Sequence, residues 1–273
     1  MNRGRDLDDR QQRERAFHDR WAEQVEEETL DPERLGSCPT TPETRFALGL
    51  LGRVAGKRVL DLGCGYGETA TWLGLQGATV DAVDISPGMI AISSRLARRY
   101  DVAGRIRFQV APAEALPFAD ESFDAVFGHD VLHHLDLEKA RDEIRRVLRP
   151  AARAVFVEPL GHNPIINLFR KRSPLTRTPD EVPLRFGDFR RLRVGFRRFA
   201  HREFQLTTLA LFLWFYLVER ADPNKVRYWK KIIDQAGRYR SAFAVLNGID
   251  RTLLALLPPA RRLCRMTVLM LER

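Results

Sequence analysis

Two aspartates and three glycines carry the clearest chemical signal in this chain. A short apolar run, Val59, Leu60 and Leu62, holds Asp61 and then breaks into Gly63, Gly65 and Gly67. Glycines at these positions allow a tight turn and let a ligand approach the main chain closely. A helix-compatible stretch, residues 68–75, follows, and its N-terminal amides face whatever sits in the turn. A second apolar run, residues 79–85, ends with Asp84, 17 residues after Gly67. A carboxylate at the end of a second strand can accept hydrogen bonds from both hydroxyls of a ribose. The pattern is D-x-G-x-G-x-G. A dinucleotide turn wants its third glycine one residue later, where Glu68 stands, and the Lys and Ser/Thr of a phosphate-binding loop are missing. An adenosine ligand without a pyrophosphate fits best. A second set of groups is suited to moving protons near neutral pH: His129 and His162, with the carboxylates Asp130 and Glu158 beside them in sequence.

These groups need strands to hold them. Apolar runs at 106–110, 123–130 and 153–158 alternate with helical patterns at 87–100 and 138–148, the signature of a mostly parallel sheet covered by helices. Ser86 and Pro87 mark one helix start, and Pro150 ends another helix. In such sheets the ligand lies at the carboxyl ends of the strands. Asp61, Asp84, Ala113, Glu114, His129, Asp130 and the stretch 158–163 fall there.

At this point the chain resembles the class I S-adenosylmethionine-dependent methyltransferases, and the small-molecule branch with the ubiquinone and menaquinone enzymes in particular. VLDLGCGYGETA is similar to that family's first motif and VDAVDISPGMI to its second. The stretch from AEALPFADESFDAVFGHDVLHHL to VLRP and then RAVFVEP extends the likeness over residues 56–159. The resemblance implies a Rossmann-like α/β fold: seven strands, mostly parallel, with an antiparallel last strand and helices on both faces. It implies S-adenosyl-L-methionine as cofactor. Asp61, Gly63, Cys64, Gly65 and Gly67 would surround its methionine part, with Asp130 toward the same end. Asp84 and Ile85 would meet the ribose, and Ala113 and Glu114 the adenine. Pro112 departs from the acidic residue common in relatives just before that pair. His129 and His162 are the candidate bases, with Glu158 a further acidic one.

The flanks divide the chain into an N-terminal helical arm (1–43), the cofactor-binding domain (44–206), a helical cap inserted at 207–262 and a final strand (263–273). Phe17, Trp21 and Val25 recur on one helical face; the resemblance implies that this helix, with His18 and Trp21, closes over cofactor and acceptor, and the alternative is an amphipathic helix merely packed on the sheet. Arg177 and Asp180, with Glu181, can bind an acidic group on the acceptor or simply pair with one another. The cap's LALFLWFYL run can line a pocket for a greasy acceptor, press on a membrane, form a homodimer interface or pack the cap itself.

A net charge of +9 raises the question of an anionic partner. Between positions 141 and 202 there are sixteen Lys/Arg against six Asp/Glu, interleaved with apolar residues rather than blocked together. No stacking or zinc-type pattern favours nucleic acid. Three dispersed cysteines suggest neither disulfides nor a metal site and fit a reducing cytoplasm. The start of the chain shows no signal peptide, and the run 206–218 is too short to span a bilayer. The expected function is methyl transfer to oxygen or carbon of a small, hydrophobic molecule. The alternatives are an RNA-modifying enzyme and a cofactor-binding relative that does not methylate.

Overall fold

The apolar runs become strands buried on both faces. The protein is described here by a computed structural model that covers residues 7–178, 180–226 and 228–273. The chain opens with α1 (Asp9–Ala22), α2 (Arg34–Ser37) and α3 (Pro42–Leu51). Strand and helix then alternate: β1 (Arg58–Leu62), α4 (Glu68–Leu75), β2 (Thr79–Asp84), α5 (Pro87–Arg99), β3 (Ile106–Val110), β4 (Phe123–His129), α6 (Leu137–Val147) and β5 (Leu148–Pro159). Next come α7 (Pro164–Arg172), α8 (Phe186–Leu192) and β6 (Arg198–Phe204). Helices α9 (Ala210–Leu217), α10 (Tyr228–Asp234) and α11 (Ala236–Leu256) follow before β7 (Met266–Glu272).

The seven strands form one sheet in the order β3-β2-β1-β4-β5-β7-β6. The first five run parallel, and β7 lies antiparallel between β5 and β6. Strand order reverses between β1 and β4, which opens a crevice at their carboxyl ends. One face of the sheet packs Phe123, Phe156 and Leu269 against Ile144 of α6 and Phe189 and Leu192 of α8. The other packs Val80, Phe127 and Val268 against Leu48 and Leu51 of α3 and Leu73 of α4. A strand covered on both faces needs a continuous apolar run, and Val59, Leu60 and Leu62 are fully buried accordingly.

Short polar side chains start the helices that carry the site. Ser86 Oγ accepts from Met89 N, Asp136 accepts from the amides of Glu138 and Lys139, and Asn163 accepts from those of Ile165 and Ile166. Gly67 adopts a left-handed conformation at the start of α4, and a Cβ there would come 2.3 Å from that of Ser93. This glycine is required for α4 to pack on α5.

Several boundaries differ from the sequence pattern. Helix α1 ends at Ala22, so Val25 leaves the helical face and packs instead with Leu30, Ile92 and Leu96. Strand β5 begins at Leu148, and Ala151 takes a left-handed conformation within it, where the register with β4 shifts. The apolar spacing puts the last two cap helices at 223–236 and 242–257, whereas the structure starts the last at Ala236 and confines α10 to Tyr228–Asp234. Residues 1–6 of the arm and Arg227 of the cap lie outside the described residues.

Between β6 and β7 the LALFLWFYL run faces two ways. Phe212 and Phe215 pack with Tyr228, Ile232, Tyr239 and Phe243, while Leu213, Trp214, Leu217 and Val218 are exposed. No described helix is long and apolar enough to cross a membrane.

Replacing Gly67 with alanine combines left-handed strain of about 1–2 kcal/mol with overpacking of about 1–3 kcal/mol. Gly67→Ala is therefore expected to lower unfolding stability by about 2–5 kcal/mol, read as a reduced urea midpoint with an unchanged slope.

Candidate functional site

The glycine turn and the ends of β1 and β2 come together as one cradle. Gly63 N and Cys64 N both donate to Val83 O at 2.9 Å, which locks the turn onto β2. Asp84 then accepts from Gly65 N and Ser86 N, each at 2.9 Å. Burial raises its pKa, against the pull of nearby His18. Two backbone donors leave a carboxylate with free lone pairs, so Asp84 can still accept from a ligand's hydroxyls, with Ile85 half-buried beside it. Asp61 is almost fully buried, and its Oδ2 has no hydrogen-bond partner. Burial, and then the charge of Asp84, push its pKa up to about 7. A Cβ added at Gly65 would meet nothing within 4 Å, whereas one at Gly63 would strike Val131 at 2.5 Å. The space beside Gly65 is thus open. Cys64 is buried with its thiol pushed well above the usual range, first by burial and then by the two aspartates, so it is not a nucleophile.

The turn after β4 supplies the second group of residues. His129 Nδ1 stands 3.4 Å from Asp130 Oδ2, and its Nε2 stands 3.4 Å from Thr44 Oγ1 of α3. Burial works to lower the pKa of His129, but Asp130 and Glu43 outweigh it and the net shift is upward. Asp130 has a left-handed backbone (φ 54°) and donates its N–H to Val157 O. A non-glycine residue held this way signals a site that overrides local preference. Glu158 is fully buried. It accepts from Val131 N and Leu132 N at 2.9 and 2.8 Å and sits 2.8 Å from His133 Nδ1. All its visible capacity goes into holding the turn that carries His129.

Helix α1 lies across the carboxyl edge and touches the loops after β2, β3 and β4 and the segment that carries Asp180. Asp19 accepts from Ser86 Oγ at 2.5 Å and from Gly88 N at 3.1 Å. Arg10 and Gln11 bind Glu114, which also accepts from Asp136 N. Glu14 faces His134 and His18. Arg13 pairs with Asp180 through two bonds of 2.7 and 3.0 Å. The ring of His18 lies between those of Trp21 and His134, at 5.7 and 5.6 Å. Glu114 therefore has its carboxylate engaged by α1, with Ala113 buried next to it.

Arg177 pairs with Glu181 at 2.5 Å and not with Asp180. His162 lies apart from the β4 turn: its Nε2 accepts from Phe186 N at 3.0 Å, its ring packs on Phe186, and burial followed by Arg185 and Arg262 lowers its pKa. The structure thus unites Asp61, Gly65, Asp84, His18 and His129 around one edge and leaves His162 outside.

Some contributors escape a reading of the sequence alone. Thr44, Glu43 and Asp19 sit on helices far from the motifs, and their i, i+4 neighbours give no chemical pattern. A groove of about 770 Å³ runs between Phe46, Phe204 and Leu254 under α11, and a smaller recess lies between Arg172, Tyr216 and Arg220. Neither contains an expected site residue.

Residues 60–156 match the family described as a methyltransferase domain. Demethylmenaquinone methyltransferase of Clavibacter sepedonicus is 41% identical over 106 residues, 38% of this chain and 42% of that protein. The methyltransferase GfsG of Streptomyces halstedii is 36% identical over 106 residues, 38% of each chain. The chain thus spans about two fifths of the length of these curated relatives. Among solved structures, the geranyl diphosphate C-methyltransferase of Streptomyces coelicolor A3(2), bound to Mg2+, geranyl diphosphate and S-adenosyl-L-homocysteine, superposes with a TM-score of 0.62 at 16% identity. The match covers 98% of this chain and 100% of that one. That likeness is one of fold.

The raised pKa of Asp61 has a consequence for stability. In the unfolded chain an aspartate titrates near about 3.9, and in the fold Asp61 titrates near 7. The folded state binds the extra proton between these values, so Asp61 costs stability increasingly as pH rises through that window. Asp61→Asn is expected to raise the melting temperature of the free protein by several degrees at pH 8. The gain should vanish below about pH 4, as a calorimetric pH series would show.

Proposed function

We propose that this chain, whose residues 60–156 form a class I S-adenosylmethionine-dependent methyltransferase domain, transfers a methyl group to oxygen or carbon of a small hydrophobic acceptor that carries an acidic group. One arrangement carries the cofactor assignment: an unpartnered buried carboxylate oxygen on Asp61, open space at Gly65 and a half-satisfied Asp84 on a single edge. These residues fit S-adenosylmethionine. The Asp61 carboxylate suits its amino group, Gly65 leaves room for the main body, and Asp84 suits the ribose hydroxyls. When bound, the cofactor supplies an electrophilic methyl group on a sulfonium.

The protein's own part is placement, exclusion of water and proton removal. Helix α1 shields the edge, which strengthens every charge interaction beneath it. Holding an acceptor atom in line with the methyl carbon replaces a bimolecular encounter by a positioned one. His129 is the group we assign to take the acceptor's proton, at Nε2, the nitrogen that faces Thr44 and away from Asp130. Asp130 orients the imidazole and stabilises its charge once the proton is taken. Glu158 we assign to positioning, since its oxygens hold the β4 turn. His162, outside the edge, receives no role in the reaction.

Arg170 and Arg265 supply positive potential near Asp130, with Arg177 beside them. Arg170 has its pKa lowered to about 10 by burial and then by Arg177, and burial lowers that of Arg265 as well. The buried Nε atoms of Arg170 and Arg177 have no hydrogen-bond partner. Cations that crowd one another in this way favour an acceptor with a carboxylate, phenolate or phosphate. The α1 residue Trp21, packed on Phe17, offers apolar surface for the rest of such a molecule.

Calorimetric titration with S-adenosylmethionine and S-adenosylhomocysteine tests the cofactor assignment. Micromolar binding is expected, weakened at least about tenfold in Asp84→Ala. Gly65→Ala is expected to stay folded yet lose the ligand, because its methyl enters the open space. A folded protein that binds neither ligand refutes the proposal.

The raised pKa of His129 makes a further test. A base must be neutral to accept a proton, so turnover should rise with pH along an acidic limb centred above 6.5. Asp130→Asn removes a charge that holds this pKa up and should move the limb to lower pH. His129→Gln should reduce kcat by roughly 10²–10⁴.

A further inference from the structure

We infer that Glu14, His18 and His134 form a binding site for one divalent transition-metal ion, which fastens α1 to the turn after β4. Glu14 and His18 are four residues apart on α1 and project from the same side of that helix. His134 arrives from the loop behind β4. His134 Nδ1 is 3.1 Å from Glu14 Oε2, and His18 Nε2 is 3.6 Å from the same oxygen. All three ligand atoms lie within 4.8 Å of one another. An ion held at about 2.0–2.2 Å from nitrogen and oxygen donors sets those donors roughly 3.0–3.6 Å apart, so two of the three separations already match.

The state of Glu14 points to a ligand. Its residue is 3% exposed, and neither carboxylate oxygen has a hydrogen-bond partner, although both imidazoles stand close. The nitrogens approach without the alignment a hydrogen bond requires. The two rings are 80° apart in plane, so they do not stack. A buried carboxylate facing two imidazoles needs a cation, either a proton on a ring or a metal ion held between them. The neighbouring arginines do not serve: Arg10 is bound to Glu114 and Arg13 to Asp180. Other donors nearby are committed too. Glu181 is paired with Arg177, and His133 Nδ1 faces Glu158. Thr178 Oγ1, 3.3 Å from His134 Nδ1, is a neutral neighbour that can turn aside.

Two imidazoles and one carboxylate suit zinc, cobalt, nickel or ferrous iron, and not magnesium or calcium, which prefer oxygen. The side chains of His18 and His134 are 23% and 16% exposed, so an ion has a way in. Three protein ligands leave coordination positions for water. The sequence offers no cue to this site. Its ligands come from two distant segments, and the dispersed cysteines point away from metal. His18 lies on the same edge as Asp84, but metal binding can be read without methyl transfer, so the two assignments are tested separately.

The test uses the full chain, stripped of metal by a chelator and then dialysed. Zinc chloride is titrated by calorimetry, and cobalt chloride is followed by visible absorption. One ion per chain is expected, with a higher melting temperature in zinc and none of this with magnesium chloride. His18→Gln and Glu14→Gln should each weaken zinc binding at least about tenfold and bleach the cobalt bands. Asp180→Asn, which removes a different contact of α1, should leave both signals intact. His18 lies at the helix surface, so its variant should fold, as circular dichroism will report. Absence of zinc binding up to about 1 mM, or binding unchanged in both His18→Gln and Glu14→Gln, overturns the inference. The triad would then be an ion-paired anchor for α1 and nothing more.

Discussion

A parallel sheet ends in backbone N–H groups that no neighbouring strand can reach, and here buried or half-buried carboxylates take them up. Asp84 receives the amides of Gly65 and Ser86, Glu158 those of Val131 and Leu132, and Asp250 those of Leu206 and Thr207. An unpaired buried amide is costly. So is a buried carboxylate without donors. Each cancels the other, and the turns that carry the site become rigid as a result. Asp61 is the exception. It is buried like the others, yet one of its oxygens is unsatisfied and its pKa rises to about 7. The fold tolerates that cost at one strand end, the one where the ligand is assigned. Such a pattern is what a trade between stability and function produces.

The second organising feature is α1. It is a polar helix with little apolar face of its own: Phe17 is its one buried apolar side chain. It is kept in place by charge. Asp19 caps α5, Arg10 holds Glu114, Arg13 holds Asp180, and Glu14 meets two histidines. Gly88 permits the approach, since a Cβ there would come 2.9 Å from that of Ala22. Contacts of this kind, partly exposed, are individually weak. A helix held by several of them can leave and return, which suits a cover over an edge that must admit ligands.

The strand and helix pattern of the middle of the chain was legible because its periods are local. β1 and α4 fall where Val59–Leu62 and the residues after Gly67 place them, and β3 spans the apolar run at 106–110 without change. The antiparallel insertion of β7 beside β6 also follows the resemblance. Boundaries slipped where tertiary contacts overrule local preference. β5 keeps running through Ala151 at the cost of a left-handed residue. In the cap, α11 extends back to Ala236 because Tyr239 finds a buried place against Phe215.

What the sequence determined by itself was the local backbone of the edge to which the cofactor is assigned. A glycine turn, its two aspartates and their strands lie within thirty residues, and their geometry is set by backbone conformation that neighbouring residues dictate. What only the tertiary structure decided was which side chains share that edge. Glu114 is held by Arg10 and Gln11, Glu158 by the β4 turn, and His162 by Phe186, while Thr44 and Glu43 come beside His129. Residues on separate elements meet through the packing of helices on a twisted sheet. A pattern of spacing along the chain carries no record of that distance, so proximity and the charges it places together appear only once the sheet has folded.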